Sequence, residues 1–231
     1  TAGISAEWEV PFGQHYSTVA ALATTRYKHE TGCTDEELSA VCVSNRKWAE
    51  LNPHAFFRAP ITIEEVMASK MLSTPLRAKQ SNMLFDGGGA FVVTSAARAR
   101  DLTERPAYVL GDGGAVTHFA YSQEPDLTRF GWARAARQAF AEAGIGPADI
   151  DVAEIYDSYP IYQLIAFEEI GHGLRETRVR QPVRRPGLHR QQAARHLVLA
   201  LRAAFEALVA VRDAPRQRLV VAGAEGQAVH G

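Results

Sequence analysis

The segment Asp86–Thr94 places three consecutive glycines before a continuous run of apolar residues, and this pattern predicts a buried β-strand. A second short apolar run, Asp151–Ile155, predicts another strand, which delivers the polar residues Tyr156 and Asp157 to a helix that starts at Pro160. Strands that alternate with helices in this way favour an α/β fold.

Helix signals dominate the first 80 residues. Thr34 with Glu37, and Thr62 with Glu65, have the spacing of capping boxes, so each pair predicts the start of a helix. We therefore expect residues 14 to 80 to be mostly helical. The other predicted helices lie at residues 16–32, 95–102, 132–143, from 160 onward and at 203–211, and the other predicted strands at 106–110 and 219–222.

Composition excludes several classes of protein. The 231 residues are 46% hydrophobic with a formal net charge of −1, which suits a globular unit and not a nucleic-acid binder. No apolar run approaches the roughly 20 residues that a membrane span needs. The two cysteines, Cys33 and Cys42, are too few for a disulfide framework and favour a reducing, cytoplasmic setting. The chain begins with Thr1, which suggests a fragment of a longer protein.

Two glycine clusters, Gly87–Gly89 and Gly111–Gly114, match neither the dinucleotide-binding pattern nor a phosphate-binding loop. We expect them to allow close backbone packing, because glycine has no side chain to obstruct a neighbour. The candidate site lies instead at Tyr156 and Asp157, because ligands in α/β folds bind beside strand ends and helix N-termini.

Four consecutive segments resemble landmarks of the thiolase superfamily, most closely its sterol-carrier and lipid-transfer branch. The order and spacing agree over roughly residues 10 to 172. The segments are Asn52–Phe57, Ile63–Lys70, Asp86–Ala90 and Ile150–Tyr159.

The resemblance implies a thiolase-like layered α/β fold of two βαβαβαββ halves with buried helices, incomplete at its N-terminal end. Residues 1–105 would form the rest of the N-terminal half with its inserted helical loop region, and residues 106–231 the C-terminal half. The family's segment with the nucleophilic cysteine has no counterpart in this sequence. We therefore expect Cys33 and Cys42 to be structural.

The family's H-D-C-F-type motif falls on Tyr156-Asp157-Ser158-Tyr159, with tyrosine in place of histidine. Relatives with this tyrosine are steroid side-chain aldolases, which cleave a β-hydroxyacyl-CoA by a retro-aldol reaction. The resemblance thus implies that Tyr156 deprotonates the β-hydroxyl or stabilises the enolate oxygen, and that Asp157 orients it. The alternatives are an acetyl-CoA acyltransferase (thiolase) or a non-catalytic acyl-CoA or lipid-binding relative. For Tyr156 considered alone, the alternative is a half-buried aromatic residue at a strand end, bonded to backbone.

The resemblance weakens after Gly173, where the family's N-x-S-G-G and G-H-P segments are replaced by an arginine-rich stretch, residues 175–202. Divergence, loss of active-site chemistry and a shifted reading frame would each account for it; a basic nucleic-acid patch is disfavoured because aromatic residues do not alternate with the arginines.

His189 and His196 lack the family's glycine context. His230 lies where relatives place a catalytic motif and is a third candidate catalytic residue.

The same resemblance implies the ligands and partners. Coenzyme A would be present as part of an acyl-CoA substrate, with no permanently bound cofactor and no metal. A homodimer is expected, with a possible OB-fold partner protein and no nucleic acid.

Overall fold

The computed structural model describes residues 4–84, 86, 90–150 and 152–171. Six α-helices and one two-stranded antiparallel sheet occur in these residues. The helices are α1 (Tyr16–Thr31), α2 (Asp35–Leu51), α3 (Ile63–Met67), α4 (Ala96–Leu102), α5 (Trp132–Ala143) and α6 (Pro160–Ile170), and the strands are β1 (Met71–Ser73) and β2 (Leu76–Arg77). Single 3₁₀ turns lie at Val10–Phe12, Ala78–Gln80, Tyr121–Gln123 and Pro147–Asp149.

The helix boundaries follow from local capping. The Thr34 hydroxyl accepts a hydrogen bond from the backbone N–H of Glu37, whose carboxylate accepts one from the N–H of Thr34 in return. Thr62 and Glu65 make the same reciprocal pair at the start of α3. Both predicted capping boxes are therefore confirmed, and so is the mostly helical character of residues 14 to 80.

Helix α6 lies at the centre of the described helices, since it packs against α1, α2 and α5. Pro160 occupies its first turn, and Gly171 ends it in the left-handed conformation with φ of 101°. Ile161 and Ile165 are completely buried, and each such side chain stabilises the fold by about 1.5–3 kcal/mol relative to exposure. The cluster around them comprises Ala20, Ala21, Tyr27, Cys33, Leu38, Val41, Leu76, Tyr159, Ile161, Leu164 and Ile165.

The loop before α5 packs directly on the backbone of that helix. A Cβ atom at Gly111 would lie 2.3 Å from the carbonyl oxygen of Ala139, and one at Gly113 would lie 2.1 Å from that of Ala135. Both distances are far below a normal contact, so only glycine fits. The predicted packing role of the Gly111–Gly114 cluster is confirmed at these two positions, while residues 87–89 lie outside the described residues.

Three predicted strands are wrong in the described residues. Asp86–Thr94, Pro106–Leu110 and Asp151–Ile155 carry neither strand nor helix wherever the structure describes them. A strand forms only when a second segment supplies ladder hydrogen bonds, and the described part of the chain pairs none with these runs. The side chains of Phe91, Val92 and Val93 are accordingly 90%, 87% and 81% exposed.

Predictions beyond residue 171 are not described by the structure. They include the helix at 203–211, the strand at 219–222 and the arginine-rich stretch. The division into halves at residues 105 and 106 stays a prediction. None of the described helices is both long and apolar enough to cross a membrane.

Candidate functional site

The segment that precedes α6 presents the two predicted site residues. Tyr159 is buried and Pro160 starts the helix, so the buried face of α6 fixes where residues 155–158 emerge. The Tyr156 side chain is 68% exposed, and Asp157 is also exposed. Tyr156 is therefore no half-buried aromatic residue, because its ring faces outward beside a helix N-terminus.

Asn82 contacts this segment from the loop after β2. Its side-chain Nδ2 donates a hydrogen bond of 2.8 Å to the phenol oxygen of Tyr156. Its backbone N–H donates a second bond, of 3.1 Å, to the carbonyl oxygen of Ser158. The two bonds hold the 81–82 loop against residues 156–158.

Asn45 contacts the segment from helix α2. Its Nδ2 donates to the Asp157 carboxylate at 3.1 Å and to the side-chain oxygen of Gln163 at 2.8 Å. Gln163, on the first turns of α6, in turn donates from Nε2 to the carbonyl oxygen of Ile155 at 3.1 Å. The carboxylate of Asp157 is thus linked by hydrogen bonds to two helices.

Cys42 lies one helical turn before Asn45 and close to Asp157. Burial raises the pKa of its thiol to about 12, and the negative charge of Asp157 acts in the same direction. The pKa of Cys33 is also raised to about 12, by burial and then by Glu37. A nucleophilic cysteine needs a lowered pKa, so both values support the structural role expected from the sequence.

Tyr156 and Asp157 are consecutive exposed residues, while His230, His189 and His196 lie outside the described residues, and the catalytic roles of Tyr156, Asp157 and His230 stay predictions. Asn45, Asn82 and Gln163 were not predicted. Asn45 continues the apolar stripe of Leu38 and Val41 at helical spacing, and a polar residue on such a buried face is a usable signal. The sequence around Asn82 holds no comparable signal.

Within residues 4–84, 86, 90–150 and 152–171, no group of three or more His, Cys, Asp or Glu side chains is arranged to hold a metal ion.

The chain is similar to a known protein family and to several curated proteins. Residues 113–178 match the family described as "Thiolase C-terminal domain-like". The chain is 36% identical over 166 residues to an acetyl-CoA acetyltransferase of Methanothermobacter thermautotrophicus. The matched region covers 71% of the chain and 43% of that protein. It is also 36% identical over 180 residues to the 17-hydroxy-3-oxo-4-pregnene-20-carboxyl-CoA lyase of Mycobacterium tuberculosis, with 74% of the chain and 46% of the lyase covered.

Among solved structures, the chain is similar to an Ltp2-ChsH2(DUF35) aldolase. The TM-score is 0.68 at 34% sequence identity, over 73% of this chain and 46% of the solved chain. The likeness confirms the thiolase-like fold class that the sequence implied. The chain spans a little under half the length of each of these three proteins.

Proposed function

Because the chain belongs to the thiolase superfamily, we propose that it is part of an enzyme that makes or breaks a carbon–carbon bond of an acyl-CoA. Retro-aldol cleavage of a β-hydroxyacyl-CoA, of the steroid side-chain type, is the reaction we favour. Support comes from the names of two similar proteins, a carboxyl-CoA lyase and an aldolase. Coenzyme A enters with the substrate, and no permanently bound cofactor is invoked.

The observation that carries this choice is the exposed phenol of Tyr156, which Asp157 follows in the chain. A phenol is a hydrogen-bond donor and acceptor in one group, so it suits proton transfer at a hydroxyl or an enolate oxygen. Its 68% exposed ring leaves that group open to a substrate. Asp157, held by Asn45, supports the backbone beside it.

The reaction breaks the bond between the α- and β-carbons of the acyl chain. The β-hydroxyl loses its proton and becomes a carbonyl group, while the bonding electrons pass to the thioester as an enolate. Protonation of the α-carbon then releases the shortened acyl-CoA. Tyr156 either accepts the hydroxyl proton as a phenolate and returns it to the α-carbon, or donates a hydrogen bond to the enolate oxygen as a phenol while another base carries that proton. A stabilised oxyanion is usually the largest contribution to such a rate.

Thiolysis by an acetyl-CoA acyltransferase is the second candidate, supported by the similarity to the archaeal acetyltransferase. That reaction needs a nucleophilic thiolate. The pKa values of Cys33 and Cys42 are raised to about 12, so neither of these two thiols is suited to that role. A non-catalytic acyl-CoA or lipid-binding role is the third candidate. Tyr156 would then be dispensable for any turnover.

We also propose a cytoplasmic homodimer that binds an OB-fold partner. The name of the similar aldolase joins two components, Ltp2 and ChsH2(DUF35). The exposed apolar side chains of Phe91, Val92 and Val93 are surfaces that a protein neighbour would cover. Sedimentation with and without a co-expressed OB-fold protein tests this, and a monomer that gains neither partner nor activity would contradict it.

The deciding experiment is the substitution Tyr156→Phe in the enzyme with its partner. Removal of an acid/base group should lower turnover of a β-hydroxyacyl-CoA by roughly 100- to 10,000-fold. The thermal melt should barely change, because the exposed ring loses only one hydroxyl. Asp157→Asn should cost less, since that residue acts on its neighbour. Near-normal turnover by the Tyr156→Phe enzyme would exclude the assignment, and activity loss in proportion to unfolding would favour a structural role.

A further inference from the structure

The hydrogen bond between Asn82 and Tyr156 joins residues that are 74 positions apart in the chain. Its length of 2.8 Å is that of a well-formed bond. The backbone bond from Asn82 to Ser158 fixes the same loop independently of the side chain. Asn82 is therefore placed at Tyr156 by its main chain, and its amide is free to act on the phenol.

The anchor of this loop is Gln80, whose side chain is only 3% exposed. Its Nε2 donates to the hydroxyl of Ser39 on α2 at 3.3 Å, and its Oε1 accepts from the backbone N–H of Arg77 at 2.9 Å. These bonds hold the 3₁₀ turn Ala78–Gln80 against helix α2. Asn82 follows this fixed turn by two residues, so its approach to Tyr156 is set by buried contacts.

The direction of the bond determines what the phenol can do next. An amide N–H that donates to the phenol oxygen occupies one of its lone pairs, so the phenol's own proton must point elsewhere. A donor on the oxygen also polarises the O–H bond and strengthens it as a donor. The arrangement therefore favours a Tyr156 that donates to an oxyanion.

We propose that Asn82 is a positioning residue that orients the Tyr156 phenol so that its O–H donates to the enolate oxygen of the substrate. The proposal rests on the proposed function and assigns one of the two roles left open for Tyr156. Asn82 itself does not touch the reacting atoms. Its effect on the reaction passes entirely through the phenol oxygen.

A double-mutant cycle in the enzyme with its partner tests the proposal. Asn82→Ala should lower kcat by roughly 10- to 100-fold with KM within about twofold, because only the orientation of a catalytic group is lost. In the Tyr156→Phe background the same change should cost less than about twofold, since the atom on which Asn82 acts is gone. Lys79→Ala, an exposed change on the same turn, is the matched control.

The isosteric variant Asn82→Asp tests the direction of the bond. A carboxylate only accepts hydrogen bonds, so it would draw the phenol proton toward itself and should lower kcat at least as much as Asn82→Ala. Activity retained by Asn82→Asp would show that the side chain accepts from the phenol, which overturns the proposal. The proposal would also be overturned if Asn82→Ala lowered kcat equally in the wild-type and Tyr156→Phe enzymes, or did not lower it at all.

A structural readout separates this proposal from the proposed function. The side-chain amide resonances of Asn82 should shift in NMR spectra when Tyr156 is changed to Phe, with or without turnover. An unshifted amide would show that the hydrogen bond does not exist. A wild type without aldolase activity would refute the proposed function itself, whereas an active wild type with additive losses would refute only the role of Asn82.

Discussion

The Asp157 carboxylate accepts a hydrogen bond from the Asn45 side chain, although the two residues are 112 positions apart in the chain. Asn45 shares its amide between Asp157 and Gln163, so helix α2 holds both the candidate site and the first turns of α6. The helical region of residues 14 to 80 therefore does more than cover the core. It positions the segment that carries Tyr156.

Replacement of Asn45 should affect stability and activity together. Asn45→Ala leaves Gln163 and Asp157 without a shared donor, and hydrogen bonds of this type contribute about 1 kcal/mol each. We expect the free energy of unfolding to fall by about 1–3 kcal/mol. Turnover should fall by more than the fraction of unfolded enzyme accounts for. Urea melts and steady-state rates measure both, with Glu50→Ala on the exposed end of α2 as control. An unchanged melt would show that the bridge does not stabilise the fold.

The thiols of Cys33 and Cys42 should resist alkylation in the folded protein. Burial raises the pKa of both to about 12, and the carboxylates of Glu37 and Asp157 add to the respective shifts. Near neutral pH the thiolate is then about 1,000-fold scarcer than in an unfolded chain with an ordinary cysteine pKa. Mass spectrometry after iodoacetamide treatment should detect modification only in denaturant. Rapid labelling of native Cys42 would contradict the raised pKa of its thiol.

The sequence predicted the helices well because their signals are local. The Thr34–Glu37 and Thr62–Glu65 pairs lie within one turn, and Pro160 marks the start of α6 from within its first turn. The strand at Asp86–Thr94 was predicted from three glycines that precede an apolar run, yet a strand also needs a hydrogen-bonded neighbour. The described residues provide none, so the run forms no ladder.

The candidate site was half predictable for the same reason. Tyr156 and Asp157 were found from a local transition between an apolar run and a helix start. Their partners, Asn82 and Asn45, reach them across 74 and 112 residues, and no spacing rule in a single sequence encodes such contacts. The role of His230 stays a prediction.

Gly113 should not tolerate a side chain. Its added Cβ would lie 2.1 Å from the Ala135 carbonyl oxygen in helix α5, and backbone cannot move aside as a flexible side chain does. Gly113→Ala should therefore destabilise the protein by about 1–3 kcal/mol, the usual cost of overpacking. Gly114→Ala is the matched control, because a Cβ at Gly114 would meet nothing within 4 Å. Equal melting temperatures for the two variants would contradict the close approach of this loop to α5.

Glu9 should make the fold sensitive to acid. Its side chain is 4% exposed, and its two carboxylate oxygens accept bonds of 2.7 Å from the backbone N–H groups of Ser5 and Ser122. Burial opposes the charged form, but these N–H groups outweigh it and hold the pKa of Glu9 below its ordinary value. A lowered folded-state pKa means that the stabilisation is fully present above the unfolded value of about 4.3 and is lost as the pH falls through the folded-state pKa. Glu9→Gln should therefore lower the melting temperature at neutral pH and flatten its decline below about pH 4.3, whereas Glu7→Gln, an exposed neighbour, should change neither. Identical acid limbs for wild type and Glu9→Gln would show that Glu9 does not carry this dependence.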